Sequence, residues 1–351
     1  TVIDSNLTIF RIVINDENHG YVINNPYNAD TYDNRKRNCT LIIGDTAYHT
    51  SRIRLRSGTR GGPKYSYKVH LPDGYHFRDA DRFNLNFRKA DETLLRNKII
   101  NQLVGDMGLP SARTEYIHTR YHRRANPAIP TSDAGIHLYA DAHCDDFIDR
   151  HFPNEDQNGA MYKGIAPWIT TWGSWNIAWG ASCSWFELEL DGSTCSDLSE
   201  LFAATRPDVP DATYESGVRN IVDVDNWGRS LAVWGITCLI DSPWMIHNQN
   251  YRLYRRPSDH RFVHLLYDFD DTYWDTEPSG QWDTWGFFSS TYHDVQRWYN
   301  HPPFRREILH GGWRALNTNS GVFREDRVLS AVAYYHHLIY DDVYHDPAIG
   351  F

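Results

Sequence analysis

The sequence predicts an α+β fold, with a strand-rich part over about residues 1–150 and a mainly helical part over about 151–351. Short apolar or alternating runs between Asn- and Gly-rich turns fill the first part, whereas apolar residues recur every three to four positions in the second. Where a long helix gives way to two strands, at 241–275, acids and amides cluster in "DSPWMIHNQNYRLYRRPSDHRFVHLLYDFDDTYWD". That junction is the expected site.

With 351 residues, 41% of them hydrophobic, the chain can bury a full core as one large domain or two tightly joined lobes. A net charge of −10 and a pI near 5.9 give no basic footprint for nucleic acid, which is set aside as a partner. No run of eighteen apolar residues exists, so no membrane span is expected. The chain opens at Thr1 with no signal-type apolar segment, and a start without Met predicts a processed or trimmed chain.

The five cysteines lack the spacing of a zinc site. Cys183 and Cys195 flank a predicted hairpin, "CSWFELELDGSTC", where a disulfide fits an oxidising compartment, and Cys238 lies on an apolar helix face as a buried thiol. Sequons at Asn6 and Asn38 agree with a secreted protein without showing one.

Residues 7–14, 40–48 and 51–59 read as strands. In "GTRGGPKYSYKVHLP" a turn with Gly58, Gly61 and Gly62 runs into a strand on which Lys64, Ser66 and Lys68 share one face. Such a segment could cover phosphates, or be a plain basic hairpin. Asp91 is placed to cap the helix "ETLLRNKIINQLVGDMG", whose Leu95, Ile99 and Leu103 repeat at i, i+4 and i+8 and which Gly108 ends. Strands return at 112–124 and 135–142 around a loop with Pro127 and Pro130.

Trp168, Trp172, Trp175, Trp179 and Trp185 crowd one stretch, as a core plug or as an exposed aromatic platform for a glycan or protein. In "VDVDNWGRSLAVWGITCLID", Val224, Trp227, Leu231, Trp234 and Cys238 form one apolar helical face, with Asp223 or Asp225 as the cap. Further helices are predicted at 303–316 and 323–340.

The helix ending near Asp241 leads through a short loop to "NYRLYRR" and, past a turn at Pro257–His260, to "RFVHLLYDFDD", a predicted hairpin that could gather Asp241, Asn248, Asn250 and Asp268. Carboxylates beside amides suit Mg²⁺, a hard cation that takes oxygen ligands. Metal on Asp268 and an Asn, with Asp241 orienting a hydroxyl and accepting its proton, is the division of labour of a phosphotransferase. Taken singly, each acid also fits a helix cap or a solvated strand end. No GxSxG elbow and no HExxH occurs among the 18 histidines; a glycosidase with paired carboxylates is the other catalytic reading.

In order, "RIRLRSGTRGGPKYSYKVHL", "DETLLRNKIINQLVGDMGLPSA", "GIHLYADAHCDDFIDRHF", "GAMYKG", "VDVDNWGRSLAVWGITCLID", "NYRLYRR" and "FVHLLYDFDDTYW" resemble the spore-coat protein H (CotH) kinase family. The resemblance runs from about residue 52 to 274. It implies a single atypical protein-kinase-like domain over 1–351, bilobal, with a β-rich N-lobe, a helical C-lobe and the site between them. It places Asp241 as the catalytic Asp and Asp268 as the Mg²⁺ ligand, with Mn²⁺ as the alternative metal. Asn248 or Asn250 completes the metal shell and Asp270 assists. Lys68, or Lys64, meets the ATP phosphates near Gly58, Gly61 and Gly62, and Tyr139–Asp141 lies where adenine docks. The family's Trp before the metal-binding Asp is Tyr267 here, and its hinge Glu is Asp141. The implied activity is phosphorylation of Ser or Thr on secreted, cell-surface or spore-coat proteins; a non-catalytic surface module that binds glycan or protein through Trp168–Trp185 is the alternative.

Overall fold

A computed structural model describes residues 5–24, 36–56, 64–87, 91, 93–123, 132–155, 159–164, 186–190, 192–206, 208–238, 250–272, 293–347 and 349. The chain forms two compact units. The first takes Thr1–Ile99, Ala112–Phe147 and Leu329–Phe351, the second Ile100–Ser111 and Ile148–Val328. Sheets and helices together make the fold α+β.

In the first unit, strands β1 (Thr8–Ile14), β2 (Arg37–Ile43), β3 (Thr46–Leu55), β4 (Tyr67–His70), β5 (Arg82–Asn86), β6 (Thr114–Arg123) and β7 (Ser132–Asp141) close into a barrel, in the order β1-β2-β3-β4-β5-β7-β6. Closure was not foreseen from a sequence that predicted only a strand-rich part. The seam is made by β1 running parallel to β6, Thr8 opposite Ile117 through Ile14 opposite Arg123. Alternation along each strand sends Phe10, Ile12, Leu41, Ile53, Val69, Phe83 and Tyr139 into one core.

Residues 40–48, expected as one strand, are a hairpin that turns at Gly44–Asp45 and pairs Ile43 with Thr46. Gly44 sits at φ +57, the left-handed backbone that such a turn requires. Beyond the turn the buried positions change parity, from Leu41 and Ile43 to Tyr48.

Helix α1 (Asp16–Asn24) follows β1, and α2 (Arg96–Asp106) begins four residues later than the sequence suggests. Leu94, at φ +58, breaks the run, while an Asp91 carboxylate oxygen accepts from the Arg96 N–H at 2.9 Å and the other from Thr93 Oγ1 at 2.6 Å. Asp91 therefore serves the helix end from five residues upstream. The C-terminal helix α9 (Glu325–Tyr344) returns to this unit and buries Ile339 and Asp342.

In the second unit, β8 (Ala160–Gly164), β9 (Phe186–Leu188), β10 (Tyr251–Arg255) and β11 (Phe262–Leu266) form an antiparallel sheet in the order β11-β10-β8-β9. Helices α4 (Cys195–Thr205), α5 (Asp211–Ile221), α6 (Val224–Thr237), α7 (His293–Asn300) and α8 (Pro302–Leu316) complete the unit, with α6 packed on β11 and α8 on α6, and α3 (Asp145–His151) precedes the sheet in the chain. The hairpin expected between Cys183 and Cys195 is replaced: β9 pairs with β8, and Cys195 opens α4. Cys195 is disulfide-bonded, whereas Cys183 lies outside the described residues.

Helix α6 follows the predicted pattern closely. The Asp223 side chain accepts from the Asn226 N–H at its start, Val224, Trp227, Leu231 and Trp234 are buried, and Cys238 ends it at φ +47. Trp227 stacks on His264 of β11 at 3.9 Å between ring centroids and donates its indole N–H to the Phe262 carbonyl at 3.0 Å. Those contacts fix α6 against the strand that leads to Asp268.

Candidate functional site

The β10–β11 hairpin is the most rigidly specified part of the predicted site. Its ladder runs from Tyr251 opposite Leu266 to Arg255 opposite Phe262, and nearly every residue in it is buried. At its closed end, Arg256 pairs with both Asp223 and Asp259. At its open end the two chains leave through unusual backbone.

Asn250, just before β10, sits at φ +59, and Asp268, two residues beyond β11, at φ +64. For a residue with a Cβ this conformation costs about 1–2 kcal/mol, least for Asn and Asp. The two are tied together. The Asn250 Nδ2 donates to the Asp268 carbonyl at 3.1 Å, and the Tyr267 N–H donates to the Asn250 carbonyl at 3.3 Å. Both residues are buried, and Asp270 follows in a 3-10 turn, Phe269–Asp271, at 1% exposure. With its nitrogen committed to Asp268, the Asn250 amide has its oxygen as the end suited to a cation. Asn250 and Asp268, tied by that bond, and Asp270 two residues further on offer oxygen donors of two kinds, the types that suit Mg²⁺ or Mn²⁺.

Behind them lies a group that sequence reasoning missed. The Arg252 guanidinium is 4.3 Å from the Tyr267 ring centroid and forms a two-pronged ion pair with Glu189. Burial works against its charge, but Glu189 more than compensates and raises its pKa. An arginine flanked by Tyr251 and Leu253 in a strand was the available signal. Asp241 and Asn248 lie outside the described residues.

In the first unit, Lys68 is half-buried on β4, with Arg54 of β3 and Asn84 of β5 as its cross-strand partners. Lys64 and Ser66 precede the strand and do not share its environment. Lys64 is buried, its ammonium 2.5 Å from an Asp346 oxygen and also donating to the Ile136 carbonyl. Burial lowers that ammonium to about 8, against the pull of Asp346. Of the two candidate lysines, Lys64 therefore serves an internal ion pair, and Lys68 is the more exposed. Gly58, Gly61, Gly62 and the tryptophans from Trp168 to Trp185 lie outside the described residues.

Asp141 ends β7. Its carboxylate accepts from the Tyr139 hydroxyl at 2.6 Å and from Arg113 Nε at 3.0 Å, so the side chain is held while the backbone beyond it leads to α3. Close to that exit, the described residues contain one group of mixed metal-type ligands, Asp81, Cys144 and Asp146, with ligand atoms within 4.8 Å of one another. Internal bonds already occupy it. Arg82 pairs with Asp81, the Asp81 N–H donates to Asp146 at 2.7 Å, and burial raises the Cys144 thiol to about 11, which keeps its proton.

Residues 52–349 match the CotH kinase protein family, and the chain belongs to that family. That membership makes it a kinase-like protein. Among solved structures, a chain of the Shewanella oneidensis MR-1 toxin–antitoxin complex of HipA, HipB and operator DNA is 12% identical, covering 97% of this chain and 72% of that one at a TM-score of 0.28. No curated protein matches the sequence. No helix among the described residues is long and apolar enough to cross a membrane.

Proposed function

We propose that the protein is an ATP- and Mg²⁺-dependent protein kinase that transfers the γ-phosphoryl group to Ser or Thr of secreted, coat or surface proteins. The observation that carries this reading is the open end of the β10–β11 hairpin, where Asn250 and Asp268 are bonded to each other in left-handed backbone. Strained, mutually supported polar residues at an element end are characteristic of sites built for a ligand rather than for stability.

Asp268 and Asn250, with Asp270 assisting, would hold the metal; bound there, Mg²⁺ would neutralise charge on the transferring phosphate. Lys68 would contact phosphate oxygens. Asp241 would accept the proton of the acceptor hydroxyl and aim its oxygen. Asp141, pinned by Tyr139 and Arg113, would fix the strand end along which adenine docks.

The test is the melting temperature of the full chain with ATP alone and with ATP and Mg²⁺. Ligand at a hundred times its dissociation constant stabilises the native state by about 2.7 kcal/mol. The reading expects a rise that needs the metal and that Asp268→Asn abolishes. No rise at millimolar ATP and Mg²⁺ would sink it.

A further inference from the structure

One side-chain cluster in the first unit has the ligand chemistry of a transition metal rather than of Mg²⁺. Because β5 pairs with β7, Phe83 opposite Asp141, Asp81 comes beside Cys144 and Asp146, where the chain leaves β7 for α3. The ligand atoms of these three lie within 4.8 Å of one another. A fourth ligand stands next to them: His76, in the connection between β4 and β5, has its Nε2 3.5 Å from an Asp146 oxygen. No cysteine or histidine spacing announces the set, because its members come from separate segments that only the barrel joins.

The bonds that fill the cluster belong to the metal-free protein, and an ion would replace the weak ones and keep the strong ones. The Cys144 thiol reaches an Asp81 oxygen only at 3.9 Å, and His76 reaches Asp146 only at 3.5 Å. Arg82 Nε donates to Asp81 at 3.0 Å and the Asp81 N–H to Asp146 at 2.7 Å, bonds that aim both carboxylates. Burial raises the Asp146 pKa and the adjacent Asp81 carboxylate adds to it, since two acids this close resist ionising together. A cation between them lifts that conflict. One thiolate and two carboxylates carry three negative charges, which a divalent ion and the Arg82 guanidinium together cancel. The Cys144 side chain forms the buried floor, while His76, 46% exposed, and Asp81, 34% exposed, give an ion its way in.

We propose that Asp81, Cys144, Asp146 and His76 form a zinc site that ties the β4–β5 connection to the start of α3. Zn²⁺ takes thiolate, imidazole and carboxylate together in a tetrahedron, whereas Mg²⁺ takes oxygen alone. Ligands about 2.0–2.3 Å from the ion stand about 3.5 Å apart, so the observed separations close with shifts of about an ångström. On binding, the Cys144 thiol proton leaves to solvent and a Zn–S bond forms in its place, with no change of oxidation state. The exposed His76 ring keeps its proton on Nδ1 and binds through Nε2.

Cobalt(II), which substitutes for Zn²⁺ and shows a strong near-ultraviolet charge-transfer band only when a thiolate binds it, tests the site in the full chain. One equivalent should produce that band with the visible bands of tetrahedral coordination. Zn²⁺ should bleach both and raise the melting temperature. Cys144→Ser should remove the near-ultraviolet band and Asp268→Asn should leave it, because cobalt on oxygen ligands gives none. His76→Ala, at an exposed position, should raise the cobalt dissociation constant about tenfold or more without lowering the melting temperature of the metal-free protein, and it serves as the probe if Cys144→Ser does not fold. A thiolate band that never forms, that Asp268→Asn removes, or that Cys144→Ser or His76→Ala leaves unchanged overturns the site, and the ATP reading keeps its own melting test.

Discussion

Between pH 6.5 and 8 one buried histidine should contribute progressively less stability. His118 is fully buried on β6, with Nε2 2.6 Å from an Asp133 oxygen and Nδ1 2.7 Å from an Asp342 oxygen on α9. Burial opposes the imidazolium, but the hydrogen bonds it donates to the Asp133 and Asp342 carboxylates hold its pKa up to about 9. Unfolded, it titrates near 6.5. Between those values the native state carries a proton that the unfolded chain has lost. The contribution is therefore complete below pH 6.5 and disappears as the pH rises through 9.

The slope is about 1.4 kcal/mol per pH unit, or roughly 2 kcal/mol by pH 8. The Lys64–Asp346 pair works in the opposite sense above about pH 8, and His70, His137 and His264, whose imidazoles burial pushes down, work in the opposite sense through about pH 6.5, so the difference between wild type and His118→Gln is what isolates His118. Urea unfolding at constant ionic strength, for wild type and His118→Gln, measures the difference. The wild type should lose its advantage across this window, and the His118 ring followed by NMR should titrate well above 6.5. A ring that titrates near 6.5, or parallel pH profiles for the two proteins, would refute the assignment.

Three further outcomes follow from contacts already described. Asn250→Ala removes the bond to the Asp268 carbonyl and should cost about 1–2 kcal/mol in urea unfolding, while Asn250→Gly, freed of the left-handed penalty, should recover part of it. Gly135→Ala places a Cβ against the Asp346 carboxylate at a residue with φ +68, breaking the seat of the Lys64 ion pair; a loss of roughly 3 kcal/mol is expected by the same assay. Trp227→Ala opens a cavity between α6 and β11 and should cost about 3–5 kcal/mol, read as a drop in melting temperature.

What could be read from the chain alone was what local period encodes. Helix α6 with its Asp223 cap, and the paired strands β10 and β11, follow from apolar spacing and turn residues within a few positions. The place of Asp268 in the chain, two residues beyond a continuous buried strand, was legible for the same reason. The role of Lys64 was not, since its partner Asp346 is 282 residues away and no local pattern distinguishes an ammonium bound for the core from one bound for solvent. Barrel closure was equally hidden, resting on the parallel pairing of β1 with β6 more than a hundred residues on. The turn at Gly44–Asp45 and the delayed start of α2 were missed because single left-handed residues, Gly44 and Leu94, decide them inside runs that read as one continuous element.

The central claim is that Asp268 serves as a metal ligand and Asp241 as the base of a phosphoryl transfer. Transfer of labelled phosphate from ATP to a Ser- and Thr-containing acceptor protein, with and without Mg²⁺, tests it most directly. The account predicts transfer by the wild type that chelation stops and that Asp268→Ala and Asp241→Ala each reduce by at least a hundredfold. Transfer that persists undiminished in both variants would contradict it.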